Sequence, residues 1–198
     1  MGQFELQELK AQVTAMLEQE VASSNLKPEK MSELTDYVKT VCQTQESPIP
    51  LKEIGTEQNI KNNLIGRWRL AFSSENAALS VMPRESRILV NILNEKQLEY
   101  ILEFSKKVQG LSKITAKSNY LIDTSPINPG LVTFVYEEIT SKLFGATIPV
   151  GLFGMLKGRA TYIESMYFDG KMWIERGSNP ENGELFYNVY LKEGEAWR

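Results

Sequence analysis

The chain contains no histidine. That absence removes the Ser-His and Cys-His nucleophile pairs, the usual zinc ligand sets and the commonest general base, and leaves carboxylate, lysine and tyrosine chemistry. Cysteine is almost as scarce. Cys42 stands alone, so no internal disulfide can form, and its place at the mostly apolar edge of a helical pattern reads as packing rather than as a nucleophile. An excess of positive charge is also missing. The formal net charge is -3, with 6 Lys+Arg against 10 Asp+Glu up to Ile65 and 16 against 15 thereafter. Neither part makes a basic stripe, which argues against a nucleic-acid partner.

Long apolar runs are lacking too. The least charged stretch, LFGATIPVGLFGML from Leu143 to Leu156, is broken by four glycine or proline residues and is too short to span a bilayer. The opening MGQFELQELKAQV has neither the basic head nor the apolar run of a secretory signal and is too acidic for a transit peptide. Myristoylation wants serine or threonine at the sixth position, where Leu6 stands. A soluble or peripheral protein is expected.

What is present divides by period. Leu6, Leu9, Val13, Met16, Leu17 and Val21 recur at helical spacing, and Met31, Leu34, Tyr37, Val38 and Val41 do so again after Pro28, which suits a first helical turn. The prolines of QESPIPLKEIG mark a connector. The chain therefore divides into an N-terminal helical segment, 1–61, packing on a second part, 62–198, where the period falls to two. In NNLIGRWRLAFSS, residues 62–74, Gly66 opens a strand that puts Trp68, Leu70 and Phe72 on one face and Arg67 and Arg69 on the other. RILVNIL, QLEYILEFSK, GLSKITAKSNYLID, GLVTFVYEEIT, RATYIESMYFD, KMWIERG and ELFYNVYLK read as further strands, with tight turns at NEK and at Asp169-Gly170. About eight strands with no helices between them predict a mainly β chain, an antiparallel barrel preceded by two α-helices.

A barrel of that size can be packed solid or hold one small ligand. The lining expected from one strand face is Leu70, Phe72, Leu98, Tyr100, Leu102, Phe104, Phe134 and Tyr136. The stretch from Leu143 on reads as an apolar loop at the barrel mouth. In it Phe144, Leu152, Phe153 and Met155 would touch a membrane or admit a ligand, or else fold back over the barrel. A catalytic pair of Asp169 with Glu175 or Glu164 is disfavoured, because aspartate suits the start of a tight turn for backbone reasons alone. Glu137 and Glu138 fall on opposite faces of their strand. No catalytic residue, metal or cofactor is expected.

Two segments resemble the plastid lipid-associated proteins, the fibrillins or plastoglobulins of plastids and cyanobacteria. LIGRWRLAFSSE is similar to that family's first-strand motif, with Phe72 and Ser73 where tyrosine and threonine are usual. YFDGKMWIERG matches its C-terminal motif at Tyr167, Asp169, Ile174, Arg176 and Gly177, with Trp173 in place of an arginine. The resemblance implies a lipocalin-like barrel that binds lipids or isoprenoids without catalysis. It also implies a barrel end closed by Gly66 and Trp68, with Arg176 stacked on the indole. The implied ligand is an isoprenoid, carotenoid, quinone or lipid. The implied location is the cytoplasm or thylakoid surface of a cyanobacterium, or a plastid. Two alternatives stay open: a lipocalin-shaped bilin lyase or chaperone, with Arg67, Arg69 and Arg87 meeting propionates, and a scaffold whose acidic helices dock a prenyl-lipid enzyme.

Overall fold

Two amphipathic helices open the chain, α1 (Gly2–Glu18) and α2 (Pro28–Thr44). Pro28 occupies the first turn of α2, where its missing N–H costs nothing, and Met31, Leu34, Val38 and Val41 form its buried stripe. The computed structural model describes residues 2–21, 25–75, 86–104, 110–150, 158, 160–179 and 182–194. The proline connector is not a plain loop. It carries two short helices, α3 (Leu51–Ile54) and α4 (Glu57–Asn59), and a π-helical turn, Ile60–Leu64, that delivers the chain into the first strand.

Nine strands follow: β1 (Gly66–Ser73), β2 (Arg87–Ile92), β3 (Gln97–Glu103), β4 (Leu111–Ile122), β5 (Leu131–Leu143), β6 (Ala146–Pro149), β7 (Ala160–Phe168), β8 (Met172–Ser178) and β9 (Leu185–Lys192). All pairings are antiparallel, in the order β4-β3-β2-β1-β9-β8-β7-β5-β6, and β4 also pairs with β5, so the sheet closes in a ring of eight strands with β6 alongside. Closure removes the sheet edges that would otherwise template aggregation. Strand β6 lies within the stretch read from sequence as a loop. It pairs with Leu143 to Thr140 of β5 on the side that β7 takes further along, so β6 and β7 lie in line beside β5. Its four residues and terminal Pro149 keep its free edge short.

Two cores result. Inside the ring lie Trp68, Val90, Ile92, Leu98, Tyr120, Ile122, Val132, Phe134, Ile163, Phe168, Trp173 and Tyr190, capped at one end by Ile54, Ile60 and Leu64. Outside it, Leu9, Val13 and Met16 of α1 and Leu34, Val38 and Val41 of α2 pack on Ala71, Phe72, Tyr167, Met172, Ile174, Val189 and Leu191. Each of the larger aliphatic and Phe side chains among them contributes about 1.5–3 kcal/mol by leaving water.

The chain crosses between the two cores at β-bulges. The register of β1 on β9 slips between Leu70 and Phe72, and that of β7 on β8 slips between Ser165 and Tyr167. One extra residue reverses which face the following side chains take. Phe72, expected in the lining beside Leu70, is thereby turned outward to the helices. A third slip on β5, opposite Lys117/Ser118, leaves Glu137 and Glu138 both exposed, where simple alternation would have buried one of them.

The end cap is held at Gly55. A methyl group there would sit 2.4 Å from the carbonyl oxygen of Ile122 and 3.0 Å from its Cβ. That neighbour is sheet backbone and cannot swing aside. Gly55→Ala is therefore expected to lower unfolding free energy by about 1–3 kcal/mol, read from the urea midpoint. An unchanged midpoint would show that α3 does not seat on β4 this closely.

Candidate functional site

The interior of the ring is the candidate site. Its walls are apolar and aromatic: Tyr100 and Phe134 lie 5.1 Å apart by ring centroid, Phe134 and Tyr136 5.5 Å, and Trp173 and Tyr190 6.1 Å. Burial is uneven along it. At the capped end Trp68, Ile92, Leu98 and Phe168 are fully enclosed. Leu70, Tyr100, Leu102, Tyr136 and Ile139, inward by strand alternation, keep accessible surface although they face the interior.

Into this interior projects one carboxyl. Glu175 alternates with Trp173 on β8, and its cross-strand neighbours are Ser165 of β7 and Asn188 of β9. It is 1% exposed, and its Oε2 has no hydrogen-bond partner among the described residues. Desolvation pushes its pKa up to about 8, because burial penalises the anion and no charge among the described residues compensates. Tyr100 and Tyr190 feel this carboxyl through space, and burial drives both phenols well above their ordinary range. Trp173 Nε1 donates to Ser165 Oγ at 3.1 Å. Ser118, 1% exposed on β4, carries a second unpaired oxygen.

The expected lining is partly assembled. Leu70, Leu98, Tyr100, Phe134 and Tyr136 belong to the interior core, and Leu102 shares the face of Leu98 and Tyr100. Phe104 falls one residue beyond β3, with its N–H bonded to Ser112. Phe72 faces the helices, as described above.

The expected stacking of Arg176 on Trp68 does not occur. Trp173 faces inward, so Arg176, three residues on, faces outward, where it pairs with Glu164 at 2.5 Å. Lys192 takes its place. Its Nζ lies 5.5 Å from the Trp68 ring centroid and donates to the Asn63 carbonyl at 2.6 Å, while Trp68 Nε1 donates to the Leu64 carbonyl at 2.8 Å. Gly66 enters this closure at φ +132, with Lys192 Cε 3.2 Å from where a Cβ would stand.

The residues of the C-terminal motif divide between the two faces. Tyr167 and Ile174 pack under the helices, whereas Gly177, in step with Trp173 and Glu175, faces the interior, where the ring of its cross-strand neighbour Phe186 occupies the space a Cβ would need. Asp169 Oδ1 accepts the N–H groups of Lys171 and Met172 at 2.9 and 2.6 Å, and Oδ2 accepts Lys10 of α1 at 2.5 Å and the Tyr167 hydroxyl at 3.4 Å. One carboxylate thus caps a turn and pins a helix. Asp169→Ala should lower stability by about 1–3 kcal/mol by orphaning these donors, and Asp169→Asn, which keeps the turn acceptor, by clearly less. Equal losses in urea melts would mean that the ion pair to Lys10, rather than the turn, carries the effect.

Asp169, Glu164 and Glu175 lie at the turn, on the outer face and inside the ring respectively, so no two of them form a carboxylate pair. Arg67 pairs with Glu103 and Glu193, and Arg87 with Glu20; both face away from the interior, as does Arg69. Burial pushes the Cys42 thiol up to about 12, which makes it a poor nucleophile at neutral pH. Phe144 sits in the β5–β6 turn at φ 48, 82% exposed. Leu152, Phe153 and Met155 lie outside the described residues. Among the described residues no helix is long and apolar enough to cross a membrane, and no cluster of potential metal ligands occurs.

Comparison with protein-family models, curated proteins and solved structures gave no match. The site therefore rests on its own geometry.

Glu175, Ser118 and Lys192 were not among the residues singled out for the interior from sequence. The signal for Glu175 was available, since it alternates with Trp173 in MWIERG. That signal becomes usable only once the inward face of β8 is known.

Proposed function

We propose that this chain is a non-enzymatic binding protein that holds one apolar molecule inside the strand ring, which acts as a lipocalin-like barrel. The observation that carries this reading is the partly accessible aromatic wall around Leu70, Tyr100, Leu102 and Tyr136, within an interior otherwise closed at the Trp68 end. Apolar pockets with a few converging polar groups are the usual form of small-molecule sites. The likeness of LIGRWRLAFSSE and YFDGKMWIERG to the fibrillins supports an isoprenoid, carotenoid, quinone or lipid as ligand and a photosynthetic membrane as the place of work. The exposed Phe144 is consistent with peripheral contact there.

Two of the three tryptophans, Trp68 and Trp173, are core residues of the ring and report on its contents. Protein purified from a photosynthetic host is expected to release a stoichiometric apolar compound into organic solvent. Emptied Trp197→Phe protein is expected to show saturable quenching on titration with prenyl-lipids. An empty extract together with unchanged fluorescence would overturn the carrier reading.

A further inference from the structure

Resting on that reading, we propose that the bound molecule ends in a neutral carbonyl group seated against Glu175, Tyr100 and Tyr190, and that molecules ending in a carboxylate are refused. Glu175 is 1% exposed, projects into the ring and leaves Oε2 without a partner among the described residues. A buried polar atom left in that state costs free energy that a ligand atom can recover.

The protonation of the surroundings decides what that ligand atom is. Among the described residues the titratable groups facing Glu175 across the interior are Tyr100 of β3, Tyr136 of β5 and Tyr190 of β9, all held neutral by burial. Ser165 and Asn188, its neighbours on β7 and β9, do not titrate. Arg176 and Glu164 lie on the outer face. Among the described residues no cation enters the balance at Glu175, whose pKa is raised by desolvation. At neutral pH the carboxyl is mainly protonated and presents an O–H, with the two phenols as further donors. Converging neutral donors favour an acceptor oxygen. A carboxylate head would need a cation, and among the described residues the lysine that faces inward, Lys192, is engaged at the closed end over Trp68.

The test uses the full chain and three probes of similar chain length, 2-tridecanone, 2-tridecanol and dodecanoate, in equilibrium dialysis at pH 6.5 and 9.5. At pH 6.5 the ketone is expected to bind at least about tenfold more tightly than dodecanoate, the scale of one or two hydrogen bonds. At pH 9.5, with Glu175 ionised and its proton lost, ketone affinity should fall about tenfold. Glu175→Gln, which keeps an N–H donor but cannot ionise, should remove that pH dependence. Tyr100→Phe, which keeps the ring, should weaken the ketone about threefold and leave dodecanoate unchanged. Equal binding of ketone and carboxylate, or a pH effect that survives Glu175→Gln, would overturn the head-group assignment while leaving the carrier reading intact. No binding by any probe would overturn both.

Discussion

Unfolding free energy is expected to fall by about 4 kcal/mol between pH 5 and pH 9, and Glu175→Gln is expected to flatten most of that slope. In the unfolded chain the carboxyl titrates near its ordinary value of 4.5, and in the fold its pKa is pushed up to about 8. Between those values the native state holds a proton that the unfolded state has released, so stability declines as pH rises. The native advantage is whole below the unfolded value and is lost as pH climbs through the folded one. Because the group is fully enclosed, solvent screening does not reduce the effect. Urea denaturation of both proteins at the two pH values measures it. Equal wild-type stability at pH 5 and pH 9 would mean that Glu175 finds a partner or water that relieves its desolvation.

The second large effect concerns the closed end of the ring. Trp68→Ala is expected to cost about 3–5 kcal/mol, whereas Arg176→Ala is expected to stay within about 1 kcal/mol. The indole is wholly buried, packs on Phe168 and Trp173 with centroids at 5.6 and 5.8 Å, and holds the last carbonyl of the π-helical turn. Removing it opens a cavity and strands that carbonyl together. Arg176 makes a partly exposed ion pair with Glu164, the kind that contributes little. Lys192→Met should fall between the two, losing the cation above the ring and the bond to Asn63. If Arg176→Ala proved as damaging as Trp68→Ala, the closure would run through the arginine after all.

These contrasts mark how far the residues themselves could be read. Helical spacing located α1 and α2, and period two located the strands of the ring, because a face that must be buried imposes its own repeat. The faces were legible only up to the first bulge. Nothing in the composition of LAFS distinguishes an inserted residue from a regular strand, so Phe72 was assigned to the wrong side and its true neighbours on the helices were missed. The Trp68–Arg176 expectation failed on parity, since Trp173 inward requires Arg176 outward. Lys192 was hidden by its position at a strand end, where a lysine usually signals solvent. The π-helical cap was obscured by the prolines of its connector. Strand β6 was obscured by glycines and a proline in the surrounding run, although its own four residues form an ordinary antiparallel pair with β5.

The β8–β9 hairpin presents Trp173 and Tyr190 to one core and Met172, Ile174, Val189 and Leu191 to the other. Neither face of its central residues meets water. The β4–β5 pair is built differently: Lys117, Asn119, Leu121, Glu137 and Glu138 are exposed on it, and the register slips beside them. Local opening is cheapest where few contacts must be given up. The ring is thus lopsided in its packing, with a keel buried on both faces under the helices and a β4–β5 wall that has water on its outer side. Amide exchange is expected to run faster at Lys117, Asn119, Leu121, Glu137 and Glu138 than along β8 and β9, and equal protection of the two hairpins would show that the lopsidedness has no dynamic consequence.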